Sequence, residues 1–284
     1  MAVLFVLACA PVCLAADDYN VQHGVVFNQS PRLKMNIYTP NDGKTNRPAV
    51  VLIHGGSWLY GTRYQLYWYG RNLAREGYVA ASIDYRMMPR NPFPACLQDC
   101  KLAVQWLRAN AEKYGIDPKR IGTLGNSAGG HLTALLAATT PEDKLEPDPG
   151  LHQSSAIKAA IVLYGVSDMS YYRKPQGYIR LFGLTSRFVK NFVTRKYEGS
   201  GDPYDAASPT FYADENMCPT LFVHGKKDNL VPYGQTLAFY NQLRRDGVPT
   251  RLLTVSHGHA FDFFKPKARK RLFPQLVSFL DEHL

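Results

Sequence analysis

Residues Arg120 to Leu136 read RIGTLGNSAGGHLTALL, and this stretch leaves the chain little freedom in how to fold. The apolar run at 121–124 has the length and composition of a buried strand. It enters Gly125-Asn126-Ser127-Ala128-Gly129 directly, and an Ala/Leu-rich helical pattern follows. A G-x-S-x-G turn between strand and helix is so tight that its central residue is strained, which demands small neighbours. The same turn puts Ser127 at a helix N-terminus, where backbone N–H groups lack intrahelical partners and can hold a developing negative charge. Taken alone, the pattern also reads as a glycine-rich turn carrying an incidental serine, so the rest of the chain must decide.

Strand and helix patterns alternate through the remainder. Strands are expected at 21–27, 33–38, 48–53, 78–83, 156–164, 219–224 and 249–255. Helices are expected at 64–76, 95–114, 233–246 and 269–283, with the first closed by Gly77. The first two strands, joined by the turn Asn28-Gln29-Ser30-Pro31, suggest an antiparallel edge. The 140–155 stretch, rich in Pro, Asp and Glu, reads as a surface loop. Residues 165–209 follow no clean period and are dense in aromatics, the pattern of a cap or lid segment. Tyr171, Tyr172, Tyr178, Phe182, Phe188 and Phe192 are its candidates for lining a pocket, against a locally packed helical excursion. The alternation implies an α/β fold, a mostly parallel, doubly wound sheet with helices on both faces. Loops at the C-terminal strand ends then gather at one edge, where such folds carry their sites.

Ser127, Asp228 and His259 each follow a predicted strand, in the chain order serine, acid, histidine of the α/β-hydrolase triad. A serine hydroxyl is a weak nucleophile and needs a base that titrates near neutrality. The histidine in turn needs a carboxylate to fix its tautomer and stabilise its imidazolium. His257 sits two positions away in the same loop, so the base is one of two histidines. Asp202 and Asp205 compete for the acid position, but they precede the strand at 219–224. The second half of an oxyanion site comes from His54-Gly55-Gly56-Ser57-Trp58, which follows a buried strand. Its donors are the backbone amides of Gly56 and Ser57, joined by Ala128 from the serine turn. His54 is expected to brace this loop rather than act as a base. Asp84 and Arg86, on one tight turn, are expected to pair with each other or with loop backbone. Together these features point to acyl transfer through a covalent acyl-enzyme.

A chain of 284 residues accommodates one α/β domain of ordinary size, assigned to residues 17–284. The first 16 residues carry no charge and end in small residues before Asp17-Asp18, reading as a cleaved secretory signal peptide. They lack the usual leading Lys or Arg, and they are too short to span a bilayer. Secretion or periplasmic export follows, with no stable membrane insertion. The remaining cysteines, Cys96, Cys100 and Cys218, show no metal-type spacing. Cys96 and Cys100 share one helix face and read as buried thiols. The net charge of +10 is dispersed apart from a cluster at 265–271, which reads as a solvated face because no nucleic-acid motif accompanies it. Neither a cofactor nor a metal is implied.

Beyond the triad, the chain carries Asp84-Tyr85-Arg86, Phe93-Pro94-Ala95, Gly125 to Gly130, Ser208-Pro209 and His224-Gly225. With the His54–Trp58 loop, these make the whole mature chain resemble α/β-hydrolase esterases of the hormone-sensitive-lipase-like and BD-FAE-like groups, the latter named for feruloyl esterases of gut bacteria. His259-Ala260-Phe261 resembles the H-G-F arrangement of these enzymes, which favours His259 over His257. Two departures stand out: Ser57 replaces the third glycine of the loop, and Ala260 replaces the glycine after the histidine. The resemblance implies hydrolysis of carboxylic esters, with small-molecule or polysaccharide esters as substrates, often acetyl or feruloyl esters of plant polysaccharides. The His54–Trp58 loop also resembles arylformamidases, an amidase alternative that the signal peptide argues against. A non-catalytic hydrolase-fold binding protein is the third reading, weakened because every triad position is filled.

Overall fold

The computed structural model describes residues 18–148, 150–173, 186–195 and 201–284. Among these residues the apolar runs form an eight-stranded sheet. Its strands are β1 (Tyr19–Gln29), β2 (Arg32–Pro40), β3 (Arg47–Ile53), β4 (Val79–Ile83), β5 (Ile116–Asn126), β6 (Ala160–Leu163), β7 (Thr220–Gly225) and β8 (Thr250–Val255). Their spatial order is β1-β2-β4-β3-β5-β6-β7-β8. β1 and β2 are antiparallel, β2 meets β4 antiparallel, and every later pair is parallel. The antiparallel edge and the doubly wound parallel body are as the sequence implies.

Helices cover both faces of the sheet, and β3 shows why. Its side chains alternate: Ala49, Val51 and Ile53 pack with the cysteine face of α2 (Ala95–Ala109), Val50 and Leu52 with α1 (Tyr67–Arg75). All five are fully buried, as expected for a central parallel strand covered on both sides. Each such Val, Leu or Ile contributes about 1.5–3 kcal/mol relative to exposure, so the strand ends are anchored on a rigid base. Further along come α3 (Ala128–Ala138), α4 (Ser186–Thr194) and the short α5 (Pro203–Ala206) and α6 (Pro209–Tyr212). α7 (Tyr233–Arg245), the single turn α8 (Phe261–Phe264) and α9 (Pro266–His283) complete the chain, with α9 packing beside α1.

Two local expectations are corrected, and a third holds in one of its two alternatives. α2 stops at Ala109 rather than at 114, because Asn110 turns its side-chain amide back onto the Trp106 carbonyl at 2.8 Å and a separate 3-10 turn follows. The 140–155 stretch is not only surface: Leu145 is buried, and the Glu146 carboxylate accepts from the buried Lys101 Nζ at 2.6 Å. For Asp84 and Arg86 the expected pairing with backbone holds and the pairing with each other does not. Asp84 accepts from the Arg63 guanidinium at 2.6 Å and from the Arg63 backbone amide at 2.9 Å, and Arg86 binds the buried Asp99 and donates to the Ala95 carbonyl at 3.1 Å. Arg63 and Asp99 come from distant segments, which local spacing could not show.

Cys96, Cys100 and Cys218 are free thiols. Burial pushes all three up, Cys218 to about 12. Among the described residues no helix is long and apolar enough to cross a membrane. The segment 1–16 lies outside the described residues, as do 174–185 and 196–200 of the expected cap.

Candidate active site

β5 delivers Ser127. The strand ends at Asn126, and Ser127 turns with φ +52° and ψ −119° before α3 begins at Ala128. A positive φ at a non-glycine residue costs energy and persists only where the surroundings enforce it. Here the Ser127 amide donates to the Leu163 carbonyl of β6 at 2.9 Å, and its carbonyl accepts from His131 N at 2.9 Å. Close packing also fixes the turn: a Cβ on Gly129 would lie 2.0 Å from the Ile53 carbonyl oxygen. The small residues of the motif are therefore required by the approach of α3 to the end of β3.

β7 and β8 end side by side, with Gly225 opposite Val255, and their loops carry Asp228 and His259. His259 Nε2 lies 2.8 Å from Ser127 Oγ, and His259 Nδ1 lies 2.7 Å from Asp228 Oδ2. The other oxygen, Asp228 Oδ1, accepts from the amides of Leu230 and Val231, both at 2.9 Å. His224 Nε2 lies 3.2 Å from Oδ2 and donates to the Val231 carbonyl at 2.9 Å. Burial alone would raise the carboxyl's pKa. Its polar contacts with His224 and His259 more than offset this, holding it well below the usual carboxylate range. Asp228 is thus an anion that can only accept, so His259 must carry its proton on Nδ1 and present a bare Nε2 to the serine.

The other candidates sit elsewhere. His257 lines a separate cavity of about 570 Å³ with Lys267 and Arg271. Asp202 caps α5 through the Tyr204 amide and pairs with Arg173. His54 is fully buried, stacked on Tyr85 with ring centroids 4.3 Å apart, and donates from Nδ1 to the Gly55 carbonyl at 2.8 Å. Burial lowers its pKa, keeping the ring neutral. It braces the loop, as expected.

Gly56 and Ser57 line the cavity in front of Ser127, and Ala128 opens the helix behind it. The Gly56 carbonyl accepts from the amides of Leu59 and Tyr60, both at 3.0 Å, which pins the loop. Gly56 has φ +117°, and a Cβ there would lie 2.0 Å from the Tyr60 carbonyl oxygen. Ser57 and Ala260 both stand at φ +55°. The two departures from the family pattern therefore fall at left-handed positions, where glycine would be unstrained.

The cavity encloses about 560 Å³, with Leu230, Tyr60, Tyr164, Phe263 and Phe264 giving it mainly apolar walls. The aromatic lining expected from 165–209 is not found among the described residues of that segment. Tyr171 faces a different cavity and Tyr172 is buried. Phe192 stacks on Trp58 at 4.6 Å, inside the core. α4 has its apolar face taken up by that packing. Tyr178 and Phe182, and the side chain of Phe188, lie outside the described residues. The sequence reading missed Tyr164, Asn126, Asp262 and His224 as partners of the site. Only Phe263 and Phe264 carried a local signal, as apolar residues directly after the histidine loop.

Among the described residues no cluster of three His, Cys, Asp or Glu side chains is arranged to hold a metal ion. A twisted, mostly parallel sheet that presents a strained serine, an acid and a histidine in this order at its C-terminal edge defines the α/β-hydrolase fold. The chain belongs to the BD-FAE family, whose profile matches residues 35–243. It is 31% identical over 238 residues to the esterase LipC of Mycobacterium tuberculosis, covering 82% of this chain and 58% of that protein. The chain thus spans little more than half the length of such curated relatives. Among solved structures it resembles esterase Est2 of Thermogutta terrifontis with propionate bound, at a TM-score of 0.77, 28% identity and coverage of 93% and 94% of the two chains. It also resembles a truncated carbohydrate esterase from gut microbiota, at a TM-score of 0.76 and 25% identity, covering 94% and 99%.

Proposed function

We propose that the chain is a serine carboxylesterase working through an acyl-enzyme. The observation that carries this reading is the unbroken relay from Asp228 through His259 to Ser127 Oγ, with contacts of 2.7 and 2.8 Å, at the floor of an apolar cavity. Ser127 Oγ attacks the ester carbonyl while its proton passes to His259 Nε2. The tetrahedral oxyanion accepts from the amides of Gly56, Ser57 and Ala128, whose dipoles are already oriented when the charge develops. Collapse breaks the ester C–O bond, and His259 returns the proton to the departing alcohol. A water molecule, deprotonated by His259, then releases the carboxylic acid from Ser127.

The mainly apolar walls suit the acyl part of an ester better than a charged group. We assign acetyl or feruloyl esters of plant polysaccharides as substrates, a reading supported by the likeness to a carbohydrate esterase. The uncharged segment 1–16 supports export to the periplasm or medium.

The test is product release from p-nitrophenyl acetate, acetylated xylan, methyl ferulate and N-formylkynurenine, with wild type and Ser127→Ala in parallel. Acetate or ferulate release that disappears in Ser127→Ala is the expected result. Turnover of N-formylkynurenine alone would replace esterase by amidase, and no turnover by a folded wild type would favour a binding protein.

A further inference from the structure

A chain of buried polar groups runs behind the histidine, and the relay described above does not use it. Asn126 Nδ2 donates to the Tyr164 hydroxyl at 3.0 Å. That hydroxyl donates to Asp262 Oδ1, and the Tyr69 hydroxyl lies 3.3 Å from Asp262 Oδ2. Asn126, Tyr69 and Asp262 are each at most 3% exposed, and Tyr164 is 1% exposed. A carboxyl in such a place costs several kcal/mol unless hydrogen-bonded, so this one is held for a reason. Burial raises its pKa and the two hydroxyls offset this only in part, while burial first, and then the neighbouring carboxyl, keep both tyrosines protonated as donors.

The placement of the four residues supplies that reason. Asn126 immediately precedes the nucleophile, and Asp262 follows His259 by three residues. Tyr164 stands just beyond the end of β6 with φ +40°, and Tyr69 lies on α1. The Tyr164 ring meets the His259 imidazole edge-on, with centroids 4.7 Å apart and planes at 69°. Tyr164 also packs on Phe261 at 5.4 Å, two residues past the histidine. Otherwise the histidine loop is tied by few backbone bonds, such as Lys227 N to the His257 carbonyl at 3.1 Å.

We propose that Tyr164 and Asp262 are positioning residues that lock the serine turn to the histidine loop and hold the His259 ring in register with Ser127 Oγ. The inference rests on the esterase reading. Asp262 anchors the Tyr164 hydroxyl, Asn126 ties that hydroxyl to the nucleophile's own strand, and the ring walls the imidazole on one side. The lock acts on the 2.8 Å Nε2–Oγ contact, on which proton transfer depends.

The test is the steady-state kinetics of Tyr164→Phe, Asp262→Asn and Asp262→Ala on p-nitrophenyl acetate, with thermal midpoints and the rate of Ser127 phosphonylation by an organophosphate. Tyr164→Phe keeps the ring but drops the hydroxyl. It should lower kcat about tenfold or more with KM changed less than twofold, since small misplacements of reacting groups cost about 10–100-fold. Phosphonylation should slow in parallel, because it needs the same aligned serine and histidine. Asp262→Asn, which can still bond both tyrosines, should recover most of the activity that Asp262→Ala loses. The proposal is overturned if Tyr164→Phe and Asp262→Ala lower the thermal midpoint but keep wild-type kcat and phosphonylation rate per folded molecule. It is equally overturned if Asp262→Asn is no better than Asp262→Ala. Failure of the esterase reading is distinct: it appears as undiminished turnover in Ser127→Ala.

Discussion

Replacing Asp228 by Asn changes one atom and should remove nearly all activity, for a reason visible in its four contacts. Oδ1 accepts from the amides of Leu230 and Val231, and Oδ2 accepts from His259 Nδ1 with His224 Nε2 close by at 3.2 Å. Every neighbour donates, so an NH2 group placed on either side faces a donor. Two backbone amides cannot change their role, which forces the new carbonyl oxygen towards Leu230 and Val231. The NH2 then points at His259 Nδ1, and that nitrogen can only accept by moving its proton to Nε2. A protonated Nε2 cannot take the Ser127 proton. The same tautomer error in another Ser-His-Asp triad costs about 10⁴ in kcat, or about 5.5 kcal/mol at 1.36 kcal/mol per decade. Asp228→Asn should therefore lose about 10³–10⁴ in kcat on p-nitrophenyl acetate with little change in KM. Stability should respond with a definite sign. The folded carboxyl has a pKa below its ordinary value, so its stabilising contribution is complete above about pH 4 and is lost as pH falls further. The thermal midpoint of Asp228→Asn should lie below wild type at pH 7, and the gap should close below about pH 4. Retention of kcat within tenfold would refute the tautomer argument, and a gap that widens on acidification would refute the electrostatic one.

Glu146→Ala should destabilise by about 3 kcal/mol in urea unfolding, because Lys101 is 1% exposed and would lose the carboxylate that its Nζ binds. Ala260→Gly should stabilise by up to about 1 kcal/mol, as φ +55° strains alanine and not glycine, the gain being trimmed by glycine's greater freedom when unfolded; a thermal shift assay reads the sign. Cys96 and Cys100 should resist a thiol reagent such as DTNB in native protein and react only in denaturant, since both are buried and burial raises their thiols; rapid native labelling of either would contradict their place on the buried face of α2.

The layers of this fold and the ends of its strands could be read from local order. A strand covered on both faces must be apolar throughout, as 49–53 is, and a serine between such a strand and a helix is legible from the small residues around it. Ser127, Asp228 and His259 could be proposed together because each lies just past the end of a strand, and parallel topology obliges successive strand ends to meet at one edge. The loop of the proposed donors Gly56 and Ser57 stands out for the same reason. What could not be read was any relation between segments far apart in sequence. Arg63 finding Asp84, Lys101 finding Glu146, and the link from Asn126 through Tyr164 to Asp262 leave no trace in spacing.

Aromatic density left the reading of the pocket open between a lining and a packed excursion, and for Tyr172 and Phe192 the second holds. The segment 165–209 has the composition of a lid, yet Phe192 and Tyr172 are spent on packing and the cavity takes its rings from Tyr60, Tyr164, Phe263 and Phe264. Composition records how much apolar surface a segment must bury; which neighbour buries it is decided only when the chain closes. The choice between His257 and His259 divides along the same line. Two residues apart in one loop, they are told apart in sequence only by the Ala260-Phe261 that follows His259, and the contact of His259 with Ser127 is made by the direction of the chain between Val255 and Phe261. Sequence by itself determined the chemistry available at the sheet edge, because residue type and strand position are local facts. Tertiary structure decided which groups touch, because hydrogen bonds reach only about 3 Å and contacts that short depend on how every element packs.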